Sequence, residues 1–292
     1  MLISFITGRA SAFACLGVTA IVLAVGCGGS NSEKSLQIKG SNTMLQLGGK
    51  WAEEYQKTSG VNISVDGQGS GTGFAALIDG KTDIAAASRP IKADEAAKAK
   101  ANGHEAVEFT VAQDGVSVIV NPQNKVSQLT MVQLGDIFSG KITNWKQVGG
   151  ADLAIQVHSR DASSGTYVFF KEHVLNHGDS KGKVEYADSA SKDQSSQAIS
   201  DAVATDQGAV GYVGMGYVDP TKHKVLKIAK DDKSPYVEPS KANVINKTYP
   251  VSRPLFLYTP GQPTGEVKKF IDWVLSPPGQ KIVEQMDFVP VK

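Results

Sequence analysis

From residue 36 onward, short apolar runs of strand character alternate with segments whose apolar residues recur every three or four positions. Residues 36–39 alternate apolar and polar side chains and stop at Gly40, which reads as a strand. Met44, Leu47, Trp51 and Tyr55 then mark one face of a helix. Val61, Ile63 and Val65 alternate as a second strand, 70–78 reads as a helix entered through glycines, and 83–87 as a short buried strand. An Ala/Lys/Glu helix over 92–102 is stopped by Asn102-Gly103. Further strands are expected at 116–120, 154–158, 210–213 and 255–258. Further helices are expected at 130–138 with Thr130 as N-cap, at 164–175, 193–205 and 267–274, and from Pro277-Pro278 to about Met286. Residues 230–246 turn polar around Pro235 and Pro239 and read as loop. This rhythm predicts an α/β fold: an open, mainly parallel sheet with helices on both faces.

Charge narrows the partners. Lys and Arg number 30 against 29 Asp and Glu, which argues against a basic nucleic-acid-binding surface. Two cysteines cannot make a disulfide framework or a Cys-rich zinc site. Residues 1–26 read as an export signal, in which Arg9 is the only charge and 10–25 are apolar. Sixteen residues are short for a membrane span, which needs roughly 20, and suit a signal core. The run ends Leu23-Ala24-Val25-Gly26-Cys27, which resembles a bacterial lipobox and makes Cys27 the expected lipid attachment point. Residues 27–35 follow as a polar tether. Cleavage would remove Arg9 and leave 29 basic against 29 acidic side chains.

Three strand-to-helix turns concentrate the chemistry. They are Gly40-Ser41-Asn42-Thr43-Met44, Gly67-Gln68-Gly69-Ser70-Gly71-Thr72-Gly73 and Ser159-Arg160-Asp161-Ala162-Ser163-Ser164-Gly165-Thr166. Each follows a predicted strand and opens a predicted helix, where free backbone N–H groups and the helix dipole favour an anion. Glycines let the backbone come close, and Ser and Thr hydroxyls donate without adding charge. Arg160 adds a planar fork that can hold two oxygens. Ligands of parallel sheets sit at the carboxyl ends of the strands, so the three turns can converge on one small oxyanion. Each turn alone reads more readily as an ordinary capped helix; the reading rests on three of them together, one with an arginine.

Competing motifs fail. Gly80-Lys81-Thr82 lacks the earlier P-loop glycine, since position 75 is Ala, and it leads into a strand. His173 and His177 stand four apart without the Glu of a zinc-protease motif and read as surface histidines. No Gly-x-Ser-x-Gly elbow is present. Trp51, Trp145 and Trp273 fall at apolar positions and read as core.

At its three turns the chain resembles the phosphate-binding proteins of the bacterial high-affinity phosphate ABC transporter. The similarity extends to Asp83-Ile84-Ala85-Ala86-Ala87-Ser88-Arg89-Pro90, to the stretch 134–145 and to Tyr249-Pro250-Val251-Ser252-Arg253-Pro254-Leu255. The resemblance implies a type II periplasmic binding protein fold: two mainly parallel-sheet lobes, a hinge, and an interlobe ligand cleft. The chain would cross twice, placing 36–114 and 252–292 in lobe I and 115–251 in lobe II. Carried over residue by residue, Thr43, Met44, Ser70, Ser88, Arg160, Ser164, Gly165 and Thr166 would hold phosphate, with Ser41, Gly71 and Asp161 in support. No cofactor, metal or catalytic group is implied, and so no enzyme. A monomeric, lipid-anchored protein would face the periplasm or cell exterior and deliver phosphate to ABC permease subunits. Other readings on the same scaffold are a sulfate or molybdate binder, or a phosphate-binding sensor or adhesion lipoprotein. Family members with Asp where Ser88 stands use that carboxylate to accept the phosphate proton and reject sulfate. With Ser88 here, Asp161 is the expected acceptor.

Overall fold

The computed structural model describes residues 35–291. The leader, Cys27 and most of the tether lie outside the described residues. The strands are β1 Ser35–Gly40, β2 Asn62–Asp66, β3 Ile84–Ala87, β4 Ala106–Val120, β5 Gln128–Thr130, β6 Gln156–Arg160, β7 Ser191–Asp193, β8 Ala209–Gly214, β9 Lys224–Val225, β10 Lys227–Ala229 and β11 Ser252–Pro260. The α-helices are α1 Leu45–Ser59, α2 Ser70–Ile78, α3 Ala93–Ala101, α4 Met131–Phe138, α5 Gly165–Phe170, α6 Ser196–Thr205, α7 Lys241–Ile245, α8 Gly265–Val274 and α9 Pro277–Gln285.

The fold is α/β in two lobes. One sheet runs β2-β1-β3-β11-β4-β8-β6-β7, with β9 added on β4, and a separate pair joins β10 to β5. Parallel pairing prevails at the flanks, in β1 with β2 and β3, and in β6 with β7 and β8. The middle is antiparallel, because β11 pairs with β3 and β4, and β4 with β8. The fifteen-residue β4 changes partner along its length. Residues 106–115 pair with β11 and 116–120 with β8.

Alternation along the strands buries both faces, as expected for sheets covered on two sides. In β3, Ile84 and Ala86 join one core with Leu47, Trp51 and Tyr55 of α1 and Phe270 and Val274 of α8. Ala85 and Ala87 point the other way, to Phe74, Leu77 and Ala99 of α2 and α3. In β8, Val210 and Tyr212 meet Leu134, Phe138 and Phe170, while Ala209 and Val213 meet Ile199 and Val203 of α6. Trp51 and Trp145 are buried, each donating its indole N–H to a carbonyl, Gly279 at 2.9 Å and Gly208 at 3.0 Å. Trp273 is only half-buried, against Tyr55.

Three local expectations need correction. The strand expected at 116–120 begins ten residues earlier, at Ala106. Its first half mixes Glu108, Thr110 and Gln113 with apolar residues and is mostly half-buried, and β11 holds it by pairing. The helix expected over 164–175 is α-helical only to Phe170 and widens to a π turn over Lys171–Leu175. The expected loop 230–246 contains α7, capped by the Ser240 hydroxyl on the Asn243 N–H. The sheet is mainly parallel as expected, with antiparallel pairing where β11 and β4 run through its middle. Thr130 does cap α4, with Gln133 completing a reciprocal capping box.

Candidate functional site

The three glycine- and serine-rich turns meet where the two lobes touch. Two glycines make the approach possible. Gly69 precedes α2 with φ +129°, a backbone that L-residues avoid, and an added Cβ would lie 2.6 Å from the Ser163 hydroxyl. A Cβ on Gly165 would stand 2.3 Å from the Ser70 hydroxyl and 2.6 Å from that of Ser88. The two lobes therefore contact each other through backbone at these points. Gly71 N–H donates to the Ser163 carbonyl at 2.9 Å, and the Ser163 hydroxyl oxygen lies 3.1 Å from the Gln68 carbonyl.

Six buried hydroxyls gather there. Thr43 Oγ1 and Thr166 Oγ1 lie 2.9 Å apart, joining the first turn to the third. Ser70 Oγ accepts the Ser88 N–H at 3.0 Å and lies 3.4 Å from Ser88 Oγ. Ser164 Oγ caps α5, accepting the N–H groups of Thr166 and Tyr167. Ser41 Oγ is buried without a hydrogen-bond partner. Met44 sends its side chain into the core, and its N–H closes the turn on the Ser41 carbonyl at 3.1 Å.

Arg160 ends β6, 1% exposed. Its guanidinium donates to the Asp193 and Gln194 carbonyls, each at 3.0 Å, and at 3.3 Å to the Asn42 side-chain oxygen. Burial pulls its pKa down and the neighbouring Asp161 pushes it back up; an arginine so placed keeps its charge. Asp161 lies 3.6 Å from Arg160 through Oδ2. Its Oδ1 accepts the Ser163 N–H at 2.8 Å and the Ser163 hydroxyl. Asn42 also takes the Ser196 N–H, the first of α6, at 2.8 Å, and its carbonyl takes the Tyr217 hydroxyl at 2.8 Å.

The arginine that touches the hydroxyls is Arg253 of β11, to which the sequence reading assigns no role. Its Nη2 lies 3.0 Å from Thr166 Oγ1 and 3.3 Å from Thr43 Oγ1, and its Nη1 donates to the Ser88 carbonyl at 3.0 Å. Asp114 of β4 neutralises it, accepting Nε and Nη2 at 3.1 and 2.9 Å while also accepting the Met215 N–H at 3.1 Å. Both side chains are almost wholly buried. Burial pulls the Arg253 pKa down against the raising effect of Asp114. Arg253 belongs to the 249–255 stretch, but nothing in the linear sequence pairs it with Asp114, 139 positions away.

A cavity of about 1030 Å³ runs beside β4 and β11 between Thr110, His173, Tyr249 and Pro254; of the site residues above it shares only Arg253. His173 there bonds the Pro250 carbonyl, and His177 is exposed. Among the described residues no group of three or more His, Cys, Asp or Glu could hold a metal ion.

Comparison with known proteins gives a consistent set. Residues 28–278 match the PBP superfamily domain. The phosphate-binding protein PstS of Staphylococcus epidermidis is 35% identical over 280 residues, covering 89% of this chain and 83% of its own. The structure of a putative phosphate ABC transporter substrate-binding protein from Clostridium perfringens, with bound phosphate, superposes with a TM-score of 0.79 at 34% identity. It covers 89% of this chain and 100% of that one. An ABC-type phosphate transport receptor from Vibrio cholerae gives a TM-score of 0.69 at 31% identity, covering 87% and 99%.

Proposed function

Because the chain belongs to the PBP superfamily and, within it, to the family of PstS phosphate-binding proteins, we propose that it captures inorganic phosphate between its lobes and hands it to an ABC transporter. One observation carries the reading: hydroxyls of Thr43, Ser70, Ser88 and Thr166 are buried together at the lobe junction beside compensated arginines. Such a site offers several donors and almost no net charge. It suits a small, dehydrated oxyanion and gives no purchase to a polyanion. In this reading Thr43, Ser70, Ser88, Ser164 and Thr166 donate through side chains, and Met44, Gly165 and Gly71 line the close backbone approach. Arg160 supplies charge, steadied by Asp161, and Ser41 supports the first turn. Catalysis is not part of the proposal, since the named relatives are binding proteins.

The lobes are taken as 36–114 with 252–292, and 115–251. The exchange of partners at Gly115/Val116 in β4 and the start of β11 at Ser252 support these limits. Opening about the two strands would admit the ion, and closure would bring Thr43 to Thr166. Export, cleavage before Cys27 and lipid attachment there complete the proposal, with one molecule acting alone against the permease.

Calorimetry of residues 30–292 with phosphate, arsenate, sulfate and molybdate tests the reading. Phosphate and arsenate are expected to bind tightly and sulfate at least tenfold more weakly; preference for sulfate or molybdate would overturn it. Asp161→Asn is expected to bring the phosphate and sulfate affinities together. Unchanged discrimination would transfer the acceptor role from Asp161 to Ser88.

A further inference from the structure

We propose that Arg253, clamped by Asp114, is a positioning residue that turns the Thr43 and Thr166 hydroxyl protons toward the bound anion. The inference rests on the phosphate reading above.

A hydroxyl has one proton and two lone pairs, so whatever bonds its oxygen decides where the proton can go. Unaided, Thr43 and Thr166, 2.9 Å apart, satisfy each other: one donates and the other accepts. Only one of the two protons is then free for a ligand. Arg253 Nη2 approaches both oxygens, at 3.3 and 3.0 Å, and can only donate. Of the two Nη2 protons one serves Asp114 Oδ2 and the other lies between the two hydroxyl oxygens, so a shared three-centre bond can satisfy both as acceptors and free both of their protons to point away from the guanidinium.

The clamp is built to hold this orientation. Asp114 engages Nε and Nη2 through one oxygen, and its other oxygen is fixed by the Met215 N–H. The Ser88 carbonyl holds Nη1, and the Phe169 ring lies 5.3 Å from the guanidinium carbon. Asp114 and Arg253 sit on β4 and β11, the two strands proposed to pass between lobes, while Thr43 and Thr166 come from opposite lobes. Arg253 is therefore placed to orient the two walls together, and its charge is cancelled where it stands.

The test is a double-mutant cycle on phosphate affinity. Asp114→Asn with Arg253→Met removes the clamp while leaving no unpaired buried charge. Thr166→Val removes one oriented hydroxyl. Each change alone is expected to weaken phosphate binding at least tenfold. Together they should weaken it at least fivefold less than the product of the separate effects, because the clamp acts through the hydroxyl. An Arg253 with a purely structural role would lower melting temperature and give multiplicative losses; a product reached within twofold overturns the proposal. The cycle is run in parallel with Arg253→Lys, which leaves Asp114 paired, so the coupling is readable if the neutral pair folds poorly. Wild-type protein that fails to bind phosphate in the same titration would overturn the phosphate reading and this inference with it. Wild-type binding with multiplicative losses would overturn this inference alone.

Discussion

At the scale of single residues, the site depends on a side chain that is missing. Gly165 lets α5 approach the Ser70 and Ser88 hydroxyls so closely that a Cβ would stand 2.3 and 2.6 Å from them. Gly165→Ala should push both hydroxyls off their present positions, at an overpacking cost of roughly 1–3 kcal/mol. Phosphate affinity is expected to fall at least tenfold, by calorimetry. Gly49 makes the control, since it is exposed in α1 and a Cβ there would meet nothing within 4 Å. Gly49→Ala should leave affinity unchanged and raise stability by about 1 kcal/mol. Equal affinity for the two variants would remove Gly165 from the site. The serine- and threonine-rich turns were legible in the sequence because anion donors and helix caps share residue types and places. Arg253 and Asp114 were not, because their pairing is made by strand register between β4 and β11 and leaves no local pattern.

At the scale of elements, the first turn and α6 form a clasp across the lobes. The Asn42 side-chain oxygen accepts the first N–H of α6, from Ser196, and one Arg160 N–H. That oxygen serves α6 as a carboxylate would at a helix N-terminus. If the lobes open to admit phosphate, these two bonds exist only in the closed form. Their net worth is about 1–3 kcal/mol, so Asn42→Ala should weaken phosphate binding by about ten- to hundredfold. The change should fall mainly on the dissociation rate, measured by stopped-flow, with the association rate little altered. An unchanged dissociation rate would show that the clasp does not hold the closed form. Element types were readable wherever one rule governed: helical spacing gave α1 and α8, and the Thr130 N-cap gave α4. Where tertiary pairing governed, local sequence was silent. The half-polar start of β4 is held by β11, and β5, β7, β9 and β10 are two- or three-residue strands set by their neighbours.

At the scale of the whole molecule, both lobes bury phenols, and this ties stability to alkaline pH. Tyr186, Tyr212 and Tyr249 lie in the core of one lobe, Tyr258 in that of the other, and Tyr217 at the Asn42 clasp. Burial raises the pKa of all five above the ordinary value of 10.0. Tyr217 is pushed up to about 12 by burial, with Arg160 pulling it back. The sign follows from proton binding. Near pH 11 the unfolded chain has shed protons that the folded chain keeps, so folding carries the cost of holding them. Stability is therefore full below pH 10 and is lost as pH rises through the folded pKa values. For Tyr217 alone the loss approaches roughly 2–3 kcal/mol by pH 12, because each tenfold difference in proton affinity between the folded and unfolded chain is worth about 1.4 kcal/mol. Urea midpoints should accordingly be flat from pH 7 to 9 and fall steeply between 10 and 12. Tyr217→Phe removes one titrating phenol along with its bond to the Asn42 carbonyl. It should start from a lower midpoint at pH 8 and lose less between pH 10 and 12 than the parent protein. A parallel fall in both proteins would mean that Tyr217 ionises as freely in the folded chain as in the unfolded one. The phenol at the clasp would then be open to water, and the lobes would not be closed over it in solution.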